Sequence, residues 1–353
     1  MFTTIEPRLP PELLYLILDT IDDPRTLLAF ACTCRIFHER VEQIRFKRRG
    51  PNTFTDLDRL RMQLKEDPLI KYFFLRARCR AADLNKLACE FAGKLLGLKA
   101  IVLDGEDLTR PKPTRQPTFA ALSHFKSVTE LVLYRLDFWS FRDFAHLLCA
   151  LDNLNTVRTT DISWQRDGRD LEDEPFAASL HLRSITIFDH DNLARHVSWL
   201  SAPKLRHSLS ALTLQTSERL LSQWLDDGRD RFLASLANIE TLVFSFTGED
   251  ISPTPILPIF LSKMPENCIS YIAISYSVVD GSLPQQSSRN EECKSSFGVL
   301  DAMLTSPRFP CLTKVSVDVN GHPNDSTIMG VTELLLFPRL ASRGILDQQV
   351  STL

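Results

Sequence analysis

Residues 98–103 read LKAIVL, residues 128–133 read VTELVL and residues 209–214 read LSALTL. Each sets apolar side chains at its first, fourth and sixth positions, and the last two of these share one face of a β-strand. Six more segments keep the spacing: IKYFFL from Ile70, LNTVRT from Leu154, LRSITI from Leu182, IETLVF from Ile239, ISYIAI from Ile269 and LTKVSV from Leu312. The fourth in chain order is the weakest, because its last position is Thr159. Successive first residues lie 28, 30, 26, 28, 27, 30, 30 and 43 positions apart. A near-constant step points to one structural unit used repeatedly. Between these segments, residues 143–151 (DFAHLLCAL), 196–200 and 218–225 read as helices. A strand, a helix and a return to the next strand predict an α/β fold with a parallel sheet, each unit burying its apolar face against its neighbours.

The step and the strand spacing resemble those of leucine-rich repeats, which implies an α/β solenoid with a curved parallel sheet. A non-repeating α/β domain with a parallel sheet is the alternative for the same apolar spacing. The asparagine expected three positions after the last strand apolar residue occurs only as Asn320, while Leu136, His190, Ser217, Thr247 and Ser277 stand at that position elsewhere. The solenoid is therefore expected to be irregular. It is placed over residues 51–345, with a tail over 346–353. A polar insertion, DGSLPQQSSRNEECKSS from Asp280 to Ser296, accounts for the interval of 43. Strand alternation directs the first set of intervening residues, Tyr72, Phe74 and Arg76, away from the core, and likewise Tyr134, Arg158 and Phe188 on three adjacent strands. Aromatic and arginine side chains dominate interface energetics, so Tyr134, Arg158 and Phe188 are the candidate target-binding patch.

The N-terminal stretch, LPPELLYLILDTIDDPRTLLAFACTCRIFHERVEQIRF from Leu9 to Phe46, has a different organisation. Leu13, Leu14, Ile17, Leu18 and Ile21 form a broad apolar helical stripe, opened by Pro10 and Pro11. Asp23 is the expected N-cap of a second helix with Pro24 in its first turn. Phe37, Val41 and Ile44 mark a third. Three short helices cannot hide this much apolar surface from one another, so something else must cover part of it. Leu9-Pro10, Glu12-Leu13-Leu14, Ile17-Leu18, Asp23-Pro24, Leu27-Leu28 and Cys34-Arg35-Ile36-Phe37 resemble the F-box motif. Cys32 replaces an aliphatic residue of that motif, and residues 44–46 replace its late tryptophan. The resemblance implies a module, residues 1–50, that docks onto a Skp-type adaptor of a cullin-RING ubiquitin ligase. Leu9, Pro10, Leu13, Leu14, Ile17, Leu27, Leu28 and Phe37 are the positions it assigns to adaptor contact. It implies a substrate-recognition subunit whose solenoid captures a target protein. The same helices on a ligase-independent scaffold would only cap the repeats.

A hydrophobic fraction of 44% and a charged fraction of 24% are those of an ordinary globular chain. A net charge of -3 gives no general attraction to nucleic acid or anionic membrane. The first residues lack a signal peptide's basic and apolar regions, and no apolar run reaches membrane-spanning length, so the cytoplasm or nucleus is expected. Arg45-Phe46-Lys47-Arg48-Arg49 is a basic cluster read as a helix end rather than an import signal. The eight cysteines contain no C-x-x-C and are expected as reduced, mostly buried thiols. No phosphate-loop, dinucleotide, nucleophile-elbow or zinc-protease motif occurs. Asp189-His190-Asp191 is the nearest approach to a metal cluster and reads better as a solvated loop. Neither catalysis nor a cofactor or metal is expected.

Overall fold

The computed structural model describes residues 10–21, 23–33, 37–38, 40–41, 44, 53–66, 76–105, 116–166, 180–188, 199–200, 205–217, 220–222, 225, 233, 236–248, 256–265, 268–278, 297–321 and 337–352. Leu9, the basic cluster 45–49, Asp189-His190-Asp191 and the 280–296 insertion lie outside them.

The fold is α/β and is built on one large parallel sheet. Its strands are β1 (Thr53–Phe54), β2 (Arg76–Arg80), β3 (Ala100–Asp104), β4 (Glu130–Tyr134), β6 (Thr156–Thr160), β8 (Ser184–Phe188), β9 (Ala211–Thr216), β10 (Thr241–Gly248), β11 (Tyr271–Val278), β12 (Lys314–Gly321) and β13 (Leu346–Thr352). They lie side by side in chain order, every pair parallel. A second, two-stranded parallel sheet joins β5 (Asp137–Phe138) to β7 (Ser163–Trp164).

The register follows the apolar spacing. Ile101, Leu131, Val157, Ile185, Leu212, Leu242, Ile272 and Val315 pair in one row across eight strands. Leu103, Leu133, Thr159, Ile187, Leu214, Phe244, Ile274 and Val317 form the row two residues on. Both rows are buried. Thr159 is tolerated among the hydrocarbons because its hydroxyl donates to the Thr186 carbonyl at 3.4 Å.

The first strand departs from the sequence reading. Phe73 and Leu75 were expected to face inward, but β2 begins at Arg76, and Ala77 and Cys79 pair with Ile101 and Leu103. Residues 67–75 lie outside the described residues. Ala77 and Cys79 are too small to stand out in an apolar pattern, yet both are buried on this strand. Burial pushes the Cys79 thiol up to about 12. The sequence reading also gave no strand at β1, β5 or β7. Where it placed a C-terminal tail, residues 346–352 instead form β13 along β12.

Helices pack on the inward rows and complete one apolar core running from Phe54 to Leu340. Phe144, on the helix Phe141–Cys149, stacks on Trp164 at 5.8 Å and meets Trp199 edge-on at 5.6 Å. That helix starts two residues before the expected Asp143, because the Ser140 hydroxyl accepts from the Asp143 amide at 3.3 Å. Phe260, on the helix Ile256–Lys263, meets Phe244 edge-on at 5.2 Å. Where β4 and β6 end, the chain turns through Arg135 and Asp161, whose φ angles are 49° and 51°. It then buries Leu136 and Ile162, so apolar side chains fill this turn where an amide was sought.

A separate apolar cluster holds the N-terminal helices. Helix α1 (Pro11–Thr20) and helix α2 (Pro24–Ala31) meet residues 37–44, whose described positions are helical. Leu18, Leu27, Ala31, Val41 and Ile44 are its buried residues, with Tyr15, Ile21, Phe30 and Phe37 packed against them. Asp23 caps α2, accepting from the Thr26 amide at 2.9 Å and the Arg25 amide at 3.3 Å. The Thr26 hydroxyl, followed by these amides, holds the Asp23 carboxyl below its usual range.

Candidate functional site

Two surfaces carry the residues expected to make contacts. On α1 the broad apolar stripe divides into two faces. Tyr15, Leu18 and Ile21 turn into the small cluster, whereas Leu13, Leu16 and Ile17 are 47%, 65% and 45% exposed. Positions three and four apart lie on one helical face, so these three side chains form a continuous apolar patch. The Arg40 guanidinium fixes the inner side by pairing with Asp19 and lying over the Tyr15 ring at 5.3 Å.

Among the residues expected at an adaptor, Pro10, Leu13 and Ile17 are exposed, and Leu14 and Leu28 are half-buried. Phe37 is half-buried and meets Phe30 edge-on at 6.1 Å. Leu27 is 3% exposed and belongs to the small core. Leu16 was missed by the sequence reading, although its spacing from Leu13 and its contiguity with Ile17 are the signal that finds it.

The second surface is the outward face of the sheet. Tyr134 and Phe188 share one register row, separated by Thr160 on β6, so two strand spacings of about 4.8 Å lie between them. Arg158 lies one outward position back on β6, on the same face. The structure thus brings the expected trio to one side. Tyr134 is exposed, while Phe188 is half-buried.

What surrounds Arg158 was not legible in the sequence. Its Nε lies 3.1 Å from Glu130, and Arg76, two strands away, reaches the same carboxylate at 3.2 Å across the small Ala100. Arg78 and Arg135 meet on Asp104, at 2.6 Å and 3.4 Å. Arg80 pairs with Asp83 at 3.1 Å. Asp104 is 7% exposed against 51% for Arg78, and Glu130 is 20% exposed against 53% for Arg158. The carboxylates therefore form the floor and the guanidinium heads the rim. Val102 and Val132 are buried between Arg78 and Arg158 in one register row, as expected where arginine stems lie over apolar surface.

The far end of the same face also carries charged side chains. Lys314 pairs with Asp347 at 2.8 Å beside Asp318. Burial, reinforced by the Asp347 charge, pushes the Asp318 carboxyl up.

Among the described residues, no group of three His, Cys, Asp or Glu side chains is arranged to hold a metal ion. No helix among them is long and apolar enough to cross a membrane. Neither a family model nor a curated protein matches the sequence.

Proposed function

We propose that this chain is the substrate-recognition subunit of a Skp–cullin–F-box ubiquitin ligase. Residues 1–50 act as the F-box, docking on a Skp-type adaptor, and the sheet region acts as an irregular leucine-rich-repeat solenoid that captures a target protein. The observation that carries this reading is the exposed Leu13, Leu16 and Ile17 face on a helical unit with its own small core. An apolar patch of this kind marks a protein interface. The order Leu9-Pro10 to Phe37 is what makes the F-box adaptor the partner of choice. The parallel strands in chain order, at a step near 28 residues, support the repeat reading. The mechanism is proximity: tethering a bound target beside the ligase raises the effective concentration of ubiquitin-loaded enzyme at its lysines. No chemistry is assigned to the chain itself, and its setting is the cytoplasm or nucleus.

Co-expression with a Skp-type adaptor, followed by size-exclusion chromatography, tests the reading. A stoichiometric complex is expected. A wild-type chain that elutes apart from the adaptor leaves only a repeat scaffold.

A further inference from the structure

Thr20 ends the exposed stripe of α1, four residues after Leu16 and three after Ile17, and so lies on the face that they form. It is exposed, and its hydroxyl donates to the Ile17 carbonyl at 2.8 Å. The helix stops there. Ile21 has φ -79° and ψ 112°, and Asp23 has φ -71° and ψ 118°, both extended. Asp22 and Asp23 follow Thr20 at two and three positions. Asp23 is exposed, and the Thr26 hydroxyl with the amides that Asp23 caps holds its carboxyl below the usual range, so it stays ionised at neutral pH. Kinases choose substrates partly by the charge pattern around the hydroxyl, and an exposed threonine followed by an acidic, extended segment offers such a pattern. Fraying of the last turn, which costs little at a helix end, frees Thr20 to join that segment.

We propose that Thr20 is a phosphorylation site for an acid-directed serine/threonine kinase, and that its phosphate releases the adaptor from α1. The proposal rests on the reading of the α1 face as the adaptor contact. In the transfer, the Thr20 Oγ attacks the γ-phosphorus of ATP and the bond from that phosphorus to the bridging oxygen breaks. ADP leaves, and the hydroxyl proton passes to the kinase's base. The phosphate brings a charge of about -1.5 to -2 at neutral pH. Its surroundings on α1 oppose that charge. The last carbonyls of the helix form the negative end of its dipole, and the last turn holds no basic side chain. Asp19, Asp22 and Asp23 all lie within three residues of Thr20. A partner seated on Leu16 and Ile17 would have to strip water from this phosphate, which is costly without a cation to pair it.

The test treats the full chain with ATP and a kinase of the casein-kinase type, locates phosphate by mass spectrometry and titrates a Skp-type adaptor into treated and untreated protein. Phosphate is expected on Thr20, and the treated chain should bind the adaptor at least about tenfold more weakly. Phosphatase should restore the binding. The Thr20→Ala chain should take no phosphate at this position, and its adaptor binding should be the same before and after kinase treatment. A melting curve of the phosphorylated chain that matches the untreated one places the loss at the contact rather than in unfolding. Absence of phosphate from Thr20 overturns the proposal, as does equal adaptor binding by the phosphorylated and untreated chains. So does an equal fall in binding when the Thr20→Ala chain is treated. An untreated wild-type chain that does not bind the adaptor sinks the ligase reading and the switch with it, whereas a missing Thr20 phosphate sinks the modification site alone.

Discussion

Gly105 closes β3 against the turn that follows β4. Its amide donates to the Tyr134 carbonyl at 2.9 Å, and a Cβ at this position would lie 2.0 Å from the Arg135 carbonyl oxygen. Backbone faces backbone there, so the neighbour cannot swing aside as a flexible side chain would. Gly105→Ala should lower stability by about 2 kcal/mol or more, read as a drop in thermal midpoint, and an unchanged midpoint would show that the turn relaxes freely. Nothing in the sequence singles out this glycine, because the obstacle belongs to a residue thirty positions later. Tyr134, Arg158 and Phe188 were legible as outward positions, since strand alternation alone sets their direction. The sharing of Glu130 by Arg76 and Arg158 was not legible. It depends on which strands become neighbours and on the small Ala100 between them, and pair spacing in sequence carries neither.

At the scale of elements, Asp301 shows how a buried charge can fix the end of the sheet. It lies in a helical stretch, residues 297–304, is almost fully buried, and accepts from the Arg339 and Leu340 amides, each at 3.0 Å. Those amides open the helix Pro338–Ser342, whose first-turn N–H groups have no partner within the helix. That helix leads directly into β13. Asp301→Ala should cost about 1–3 kcal/mol, because it orphans the buried Leu340 amide and the part-buried Arg339 amide. Hydrogen exchange should then quicken at Leu340 and along β13 before the strands near β4 are affected; uniform protection along the sheet would contradict this role. The helices were legible where an apolar period and a cap coincide, as at Asp23 with Pro24. On α1 the reading fell short for a physical reason. An apolar period says that side chains avoid water, not which of two faces an intramolecular core covers, so Leu13 and Leu18 looked alike although one is exposed and the other buried.

On the scale of the whole molecule, the parallel sheet was the most legible feature, because a spacing repeated eight times after β2 fixes both direction and register. The ends were the least legible. At β2, small inward residues replace large ones, and β13 lies where polar residues such as Asp347, Gln348 and Gln349 conceal a strand. The clustering of the outward arginines likewise arises only when distant positions are gathered on adjacent strands. The proposed role rests on the exposed face of α1, and whether that face holds a Skp-type adaptor is the measurement to make. Titration of a purified Skp-type adaptor should give tight binding to the wild-type chain. For a Leu16→Asp, Ile17→Asp variant, it should give at least about tenfold weaker binding, with an unchanged melting curve because both side chains are already exposed. Leu27→Asp is unsuitable for this purpose, since it strikes the small core. Equal binding by the wild type and the Leu16→Asp, Ile17→Asp variant, or no binding by the wild type, would contradict the assignment of this face to the adaptor.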